Sequence, residues 1–182
     1  MDLLEHHRIS ARANRMANRR LHAAIAQLGR AEFEAPRIGF FPSLKATLNH
    51  ILAVDTYYLD AIDGVKEMVA RYESFVPADT IQELAWRQQL SDERLITICD
   101  RLDREAIDPV VVMDRGGGRQ QRDRAGHVLA HLFMHQTHHR GQAHAMLAGT
   151  SVKPPQLDDF ILLGDRVHRE ADLRALGWTE PV

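Results

Sequence analysis

The 182-residue sequence predicts an all-α fold: a bundle of four main helices, with a small β-hairpin before the fourth and a shorter helix at the C-terminal end. Three observations carry that expectation. Four long segments space their apolar residues by three or four, the period of a helix that buries one face. Glycine and proline punctuate the joins between them. Just one short stretch reads as strand, and it contains its own turn.

The first helix takes residues 2–28, with Leu3, Leu4, Ile9, Ala13, Met16, Ala17, Leu21, Ala24, Ile25 and Leu28 along its apolar side and Gly29 as its stop. Residues 30–42, holding Pro36, Gly39 and Pro42, read as a loop whose Phe40 and Phe41 tuck onto the core. Ser43 is placed to cap a second helix, marked by Leu44, Leu48, Ile51, Leu52, Val54, Tyr58, Leu59 and Ile62 and ended by Gly64. After a mixed stretch with Pro77, Asp79 or Thr80 caps a third helix, and Asp79-Thr80-Ile81-Gln82 matches a capping box. That helix is expected to run to about Ile107, where Asp108-Pro109 stops it.

Val110–Met113, the turn Gly116-Gly117-Gly118 and Arg119-Gln120-Gln121 form the predicted hairpin. The glycines are not a phosphate loop, because no Gly-Lys-Ser/Thr follows them. A fourth helix is expected from Asp123 to about Leu147, closed by Gly149. Beyond Pro154-Pro155 a last amphipathic stretch carries Leu157, Phe160, Ile161, Leu162, Leu163, Val167, Leu173 and Leu176.

Composition narrows the function classes. The length suits one domain over residues 1–182, large enough to bury a core. A formal charge of -2 excludes a strongly basic nucleic-acid binder. No apolar run is long enough to span a membrane, and the N-terminus lacks the order of a signal peptide, so the expected compartment is the cytoplasm. Cys99 is the single cysteine and reads as a small buried hydrophobe.

Histidine is the unusual residue. Eleven are present, and five fall between His127 and His139. On a helix His135 and His139 point within about 40° of each other, so both rings can reach one ion about 2 Å away. His131, His135 and His139 form a ladder that drifts by about 80°, and spacing alone does not choose between the 131/135 and 135/139 pairs. A third ligand must come from another helix. His50, set among Leu48, Ile51 and Leu52, is the best candidate, because an ionisable ring beside a core has to be satisfied. A hydrogen bond to a carboxylate would satisfy it too. Di-iron Glu-x-x-His pairs, a His-Glu-x-x-His zincin motif and a Gly-x-Ser-x-Gly elbow are all missing from the sequence.

Two segments resemble the DinB-like family of metal-binding four-helix bundles: Leu48-Asn49-His50-Ile51-Leu52-Ala53-Val54-Asp55-Thr56-Tyr57-Tyr58-Leu59, and His131 through Gln142, which ends in His-Arg-Gly-Gln. The second is the more specific. The resemblance implies an up-down bundle of that type and places the family's metal histidines on His50, His135 and His139, with His131 a neighbour. It also suggests Gly141 as a site of close helix approach and Arg140 as a structural or interface pairing residue. Asp55 and Tyr57 are candidate groups to orient ligands or substrate, but Asp55 stands about 140° round the helix from His50. Tyr57-Tyr58 stands where the family more often has Trp.

The resemblance further implies one divalent transition metal, zinc or nickel, and a thiol-dependent S-transferase or related hydrolase or isomerase. A low-molecular-weight thiol, deprotonated at the metal, would attack an electrophilic small molecule. The alternative is a non-catalytic metal-binding or stress-response protein in which the ion ties the second helix to the fourth. A homodimer is expected through the apolar last segment. The family's name refers to induction by DNA damage, which describes expression and implies no contact with DNA.

Overall fold

The computed structural model describes residues 2–103, 107 and 109–179, and these are mostly helical with one two-stranded hairpin. The helices are α1 (Leu3–Ile25), α2 (Arg30–Glu34), α3 (Leu44–Ile62), α4 (Met68–Glu73), α5 (Ile81–Asp100), α6 (Ala125–Ala148) and α7 (Arg166–Leu176). Strands β1 (Val110–Asp114) and β2 (Gln120–Arg124) pair antiparallel between α5 and α6. The four long helices close a ring: α1 packs on α5, α5 on α3, α3 on α6 and α6 on α1.

Three of the long helices begin where a side chain replaces a missing backbone partner. Asp2, Ser43 and Thr80 accept from the amides of Glu5, Ala46 and Glu83. The capping box of α5 is therefore one residue later than expected. Thr80 is the cap, and Glu83 rather than Gln82 reaches back, accepting from the Asp79 amide at 3.1 Å. The α6 helix has no side-chain cap. Asp123, expected to open it, pairs with Val111 in the hairpin, and the helix starts two residues on. Gly116, Gly117 and Gly118 all take positive φ, which is why the hairpin turn needs them.

Several boundaries depart from the sequence reading. Residues 30–34 form a single helical turn, anchored by Phe33 at 2% exposure, whereas Phe40 is 75% exposed. One apolar residue among Arg30, Glu32 and Glu34 is enough to hold so short a turn. Helix α5 stops at Asp100, well before Ile107, because Arg8 of α1 donates to the carbonyls of Cys99, Asp100 and Leu102 and satisfies its end. Asp108, the expected stop, lies outside the described residues. Beyond Pro155 the deeply buried apolar residues among those described are Phe160 and Leu173, against Met16 and Ala17 of α1, beside buried Arg169 and Asp172. Leu157 and Leu176 pack partly against that cluster, but Ile161, Leu162, Leu163 and Val167 are exposed, so half of the expected apolar face is not core. Cys99 is fully buried, and burial pushes its thiol up to about 12. Among the described residues no helix is long and apolar enough to cross a membrane.

The interior is not uniformly apolar. Asp92 of α5 accepts from Asn14 at 3.1 Å, Asn18 at 2.9 Å and Gln88 at 3.1 Å. Gln88 also donates to Asp55 of α3 at 2.7 Å. Arg140 of α6 donates to the side-chain oxygens of Asn14 and Asn18, closing a network that touches all four long helices. Burial raises Asp55 to about 6 and Asp92 to about 7, with the neighbouring Asp55 adding to the second shift. Burial also lowers Arg140, against the pull of Asp92 and Asp55.

Candidate metal centre

Where α3 meets α6, three imidazoles converge. His50 projects from α3, and His135 and His139 lie one turn apart on α6. The Nε2 atoms of His50 and His135 are 3.1 Å apart, and one ring nitrogen from each of the three histidines lies within 4.8 Å of the others. Ring centroids are separated by 4.5 Å for His135–His139, 4.6 Å for His50–His139 and 5.0 Å for His50–His135. Two tetrahedral ligands with bonds of ~2.0–2.1 Å sit roughly 3.3 Å from each other, so this cluster could hold one metal ion with small side-chain adjustments. The spacing had left two histidine pairs open. In the structure His131 stands off, 6.3 Å from His135 by centroid, with its ring edge-on to Tyr58.

The surroundings keep these rings neutral, the form that ligates metal. Burial lowers His50 to about 4, helped by His139. Burial and then the neighbouring histidines, His139 first, lower His135 to about 3. His139 is lowered by burial too, with its Gln142 bond opposing. Phe41 supplies part of the low-dielectric wall, its ring 4.3 Å from His50 and 5.5 Å from His139. The loop carrying it lies close on α6, since a Cβ on Gly39 would come within 2.3 Å of the Met146 methyl.

Chemistry of the donor set also favours an ion. Gln142 Oε1, which can only accept, lies 2.9 Å from His139 Nδ1. That bond puts the His139 proton on Nδ1 and leaves Nε2 bare. Gln142 continues to His138 Nε2 at 3.0 Å. His135 Nε2 meets only His50 Nε2, and its buried Nδ1 has no hydrogen-bond partner among the described residues. Three imidazoles suit a divalent first-row transition ion, and the residues present fit one.

The other singled-out residues sort differently. Asp55 points into the polar core and bonds Gln88, away from the histidines, as its position round the helix required. Tyr57 donates to the Asp114 carbonyl and ties α3 to the hairpin. Arg140 is a structural residue, 9% exposed and bound to α1. Gly141 does not serve close helix approach: it is exposed, and a Cβ there would meet nothing within 4 Å. His22 is buried, and burial lowers it to about 3. His7 is buried against the Phe133 ring, and His144 bonds the Pro155 carbonyl at 2.9 Å.

Two contributors were named in the sequence but given no part in this site. Gln142 stands three residues after His139, a spacing that puts both on one helix face and could have found it. Phe41 comes from a loop, and no periodicity points to it.

The family model described as the DinB family matches residues 5–164, and the chain belongs to that family. The search of curated proteins returned no match.

Proposed function

We propose that this DinB-family chain binds one divalent transition ion, zinc or nickel, through His50, His135 and His139, and uses it as a thiol-dependent S-transferase or a related hydrolase or isomerase. The observation that carries the reading is the convergence of three neutral imidazoles from two helices beside a cavity that His135 also lines. Bound there, such an ion would keep its full +2 charge and lower the pKa of a coordinated water or thiol. The chain's own residues do the rest. His139 is fixed in one tautomer by Gln142, and Phe41 limits water around the His50 ring. The cavity of about 360 Å³ gives a small molecule access to the His135 side of the cluster. We read the ring of long helices as the family's up-down bundle in one domain, and the exposed Ile161, Leu162, Leu163 and Val167 as a homodimer face.

Elemental analysis of purified, untagged protein tests the metal reading. About one equivalent is expected in wild type and none in His50→Ala or His139→Ala, with both variants folded by circular dichroism. Wild type that carries no metal and takes up neither zinc nor nickel refutes it. A thiol-consumption screen against soluble electrophiles then separates an enzyme from a metal-tied structural protein, which would show no turnover.

A further inference from the structure

The cavity beside the histidines has a chemical character of its own. Along α3, His50, Val54, Tyr57 and Tyr58 fall at i, i+4, i+7 and i+8, so the cavity continues the same helix face as the cluster. Tyr57, Tyr58 and Tyr72 wall it with rings set nearly at right angles, 5.4 Å apart for Tyr57–Tyr58 and 5.5 Å for Tyr57–Tyr72. Such walls fit a flat, apolar body.

Arg115 sits at the edge of this chamber, in the turn after β1. Its amide donates to the Arg119 carbonyl at 2.8 Å, which fixes the backbone. Its guanidinium lies 5.3 Å from the Tyr57 centroid and 5.6 Å from that of Tyr58. Nε donates to Gln121 at 2.9 Å and one terminal nitrogen to the Tyr58 hydroxyl at 3.3 Å. Among the described residues no carboxylate forms an ion pair with it, although most arginines around the long helices have one. The guanidinium is held in place, charged, and has donors to spare.

Two carboxylates also line the cavity. Asp114 Oδ1 accepts from the Gly116 amide at 2.8 Å and is engaged in the turn. Glu73 is exposed at the end of the short helix α4. Asp123 attracts Arg115 without a close contact, so Arg115 is the fixed charge facing the chamber that no carboxylate touches among the described residues.

We propose that the chamber walled by Tyr57, Tyr58 and Tyr72 binds a planar or aromatic carboxylate, with Arg115 pairing its carboxylate group. The inference deepens the functional reading above by naming the class of the second substrate. It rests on that reading for its catalytic meaning, since a divalent ion behind His135 would add attraction for an anion.

Three probes of one shape and different charge test it: benzoate, benzyl alcohol and benzylammonium, titrated by NMR or calorimetry into protein as purified and after metal removal by chelation. Benzoate is expected to bind about tenfold tighter than benzyl alcohol in both preparations. Arg115→Gln should abolish that preference without changing metal content, Arg115→Lys should restore part of it, and Glu73→Gln should leave it in place. Tightest binding by benzylammonium overturns the proposal, because Glu73 and Asp114 would then rule the chamber. A benzoate preference that survives Arg115→Gln but disappears on chelation also overturns it, since the carboxylate would be sitting on the metal. Failure of the metal reading is separate: it would show as metal-free wild type, with the Arg115-dependent preference intact.

Discussion

His139 and Arg140 are neighbours on α6, yet they belong to regions of opposite kind. His139 is one of three neutral rings, two of them only partly buried, walled by Phe41 and beside a cavity. Arg140 turns into a buried network of charge and amide spanning four helices. The comparison separates two uses of polar side chains. In the network each residue bonds at least one other side chain, although one oxygen each of Asp55 and Asp92 has no partner, and the whole serves the fold. In the cluster the nitrogens that face one another have no protein partner but each other, which is what a ligand-binding site requires.

If the two regions are independent, perturbing one should spare the other. Arg140→Ala should have the largest effect. It leaves the buried side-chain oxygens of Asn14 and Asn18 without their charged donor and removes a charge that pulls on Asp92 and Asp55; losing hydrogen bonds to a charged group costs about 1.5–3 kcal/mol each. Urea denaturation should show that loss, while the fraction that remains folded keeps its metal. Metal loss from the folded fraction would show that the regions are one unit.

Gln142→Ala attacks the other side of the comparison. Without the bond to Nδ1, His139 is no longer held in the ligating tautomer, and metal affinity should fall by roughly 10–100-fold. Competition with a chelator of known affinity reads this directly. The unfolding midpoint of metal-free protein should hardly move, and a large shift would make Gln142 a structural residue.

The acidic pair gives the network a pH signature. Asp55 and Asp92 have folded-state values raised above the ~3.9 of an unfolded aspartate. Between about pH 4 and 7 the native state therefore holds protons that the unfolded state has released. These groups make stability fall as pH rises through that window, and the penalty is complete above their folded values. Asp92→Asn removes one titrating carboxylate, so its stability relative to wild type should increase from pH 4 to pH 7. Chemical denaturation across that range checks the slope, and an unchanged difference would show that Asp92 is ionised throughout.

Gly141→Ala should have the smallest effect. Open space around the position and a helical backbone favour alanine by roughly 0.5–1 kcal/mol. A thermal melt should rise by a few degrees with metal content unchanged. Destabilisation would mean that α6 is approached closely after all.

Legibility in the sequence divided along the same boundary. Asp2, Ser43 and Thr80 are cap residues whose chemistry is local, so the starts of α1, α3 and α5 could be read to within a residue or so. Histidine spacing on α6 was equally local and placed His135 and His139 on one face. The end of α5 was not local: it depends on Arg8, some ninety residues earlier. Asn14, Asn18 and Asp92 read as ordinary polar positions on amphipathic helices, because nothing nearby in sequence shows which polar residue turns inward. The C-terminal apolar run misled for a related reason. Apolar spacing says that a face can be buried, but only a partner surface decides whether it is.

By itself the sequence determined the helical class, the hairpin, the order of the long elements and the richness of α6 in histidine. Those features follow from spacing, capping and turn chemistry, which act over a few residues. Tertiary structure decided that His50 meets His135 and His139, that Phe41 covers them, that Arg115 edges the neighbouring chamber and that Arg140 is buried. Each of these joins residues from separate elements, and their meeting is set by how the helices pack, a property that short-range periodicity does not encode.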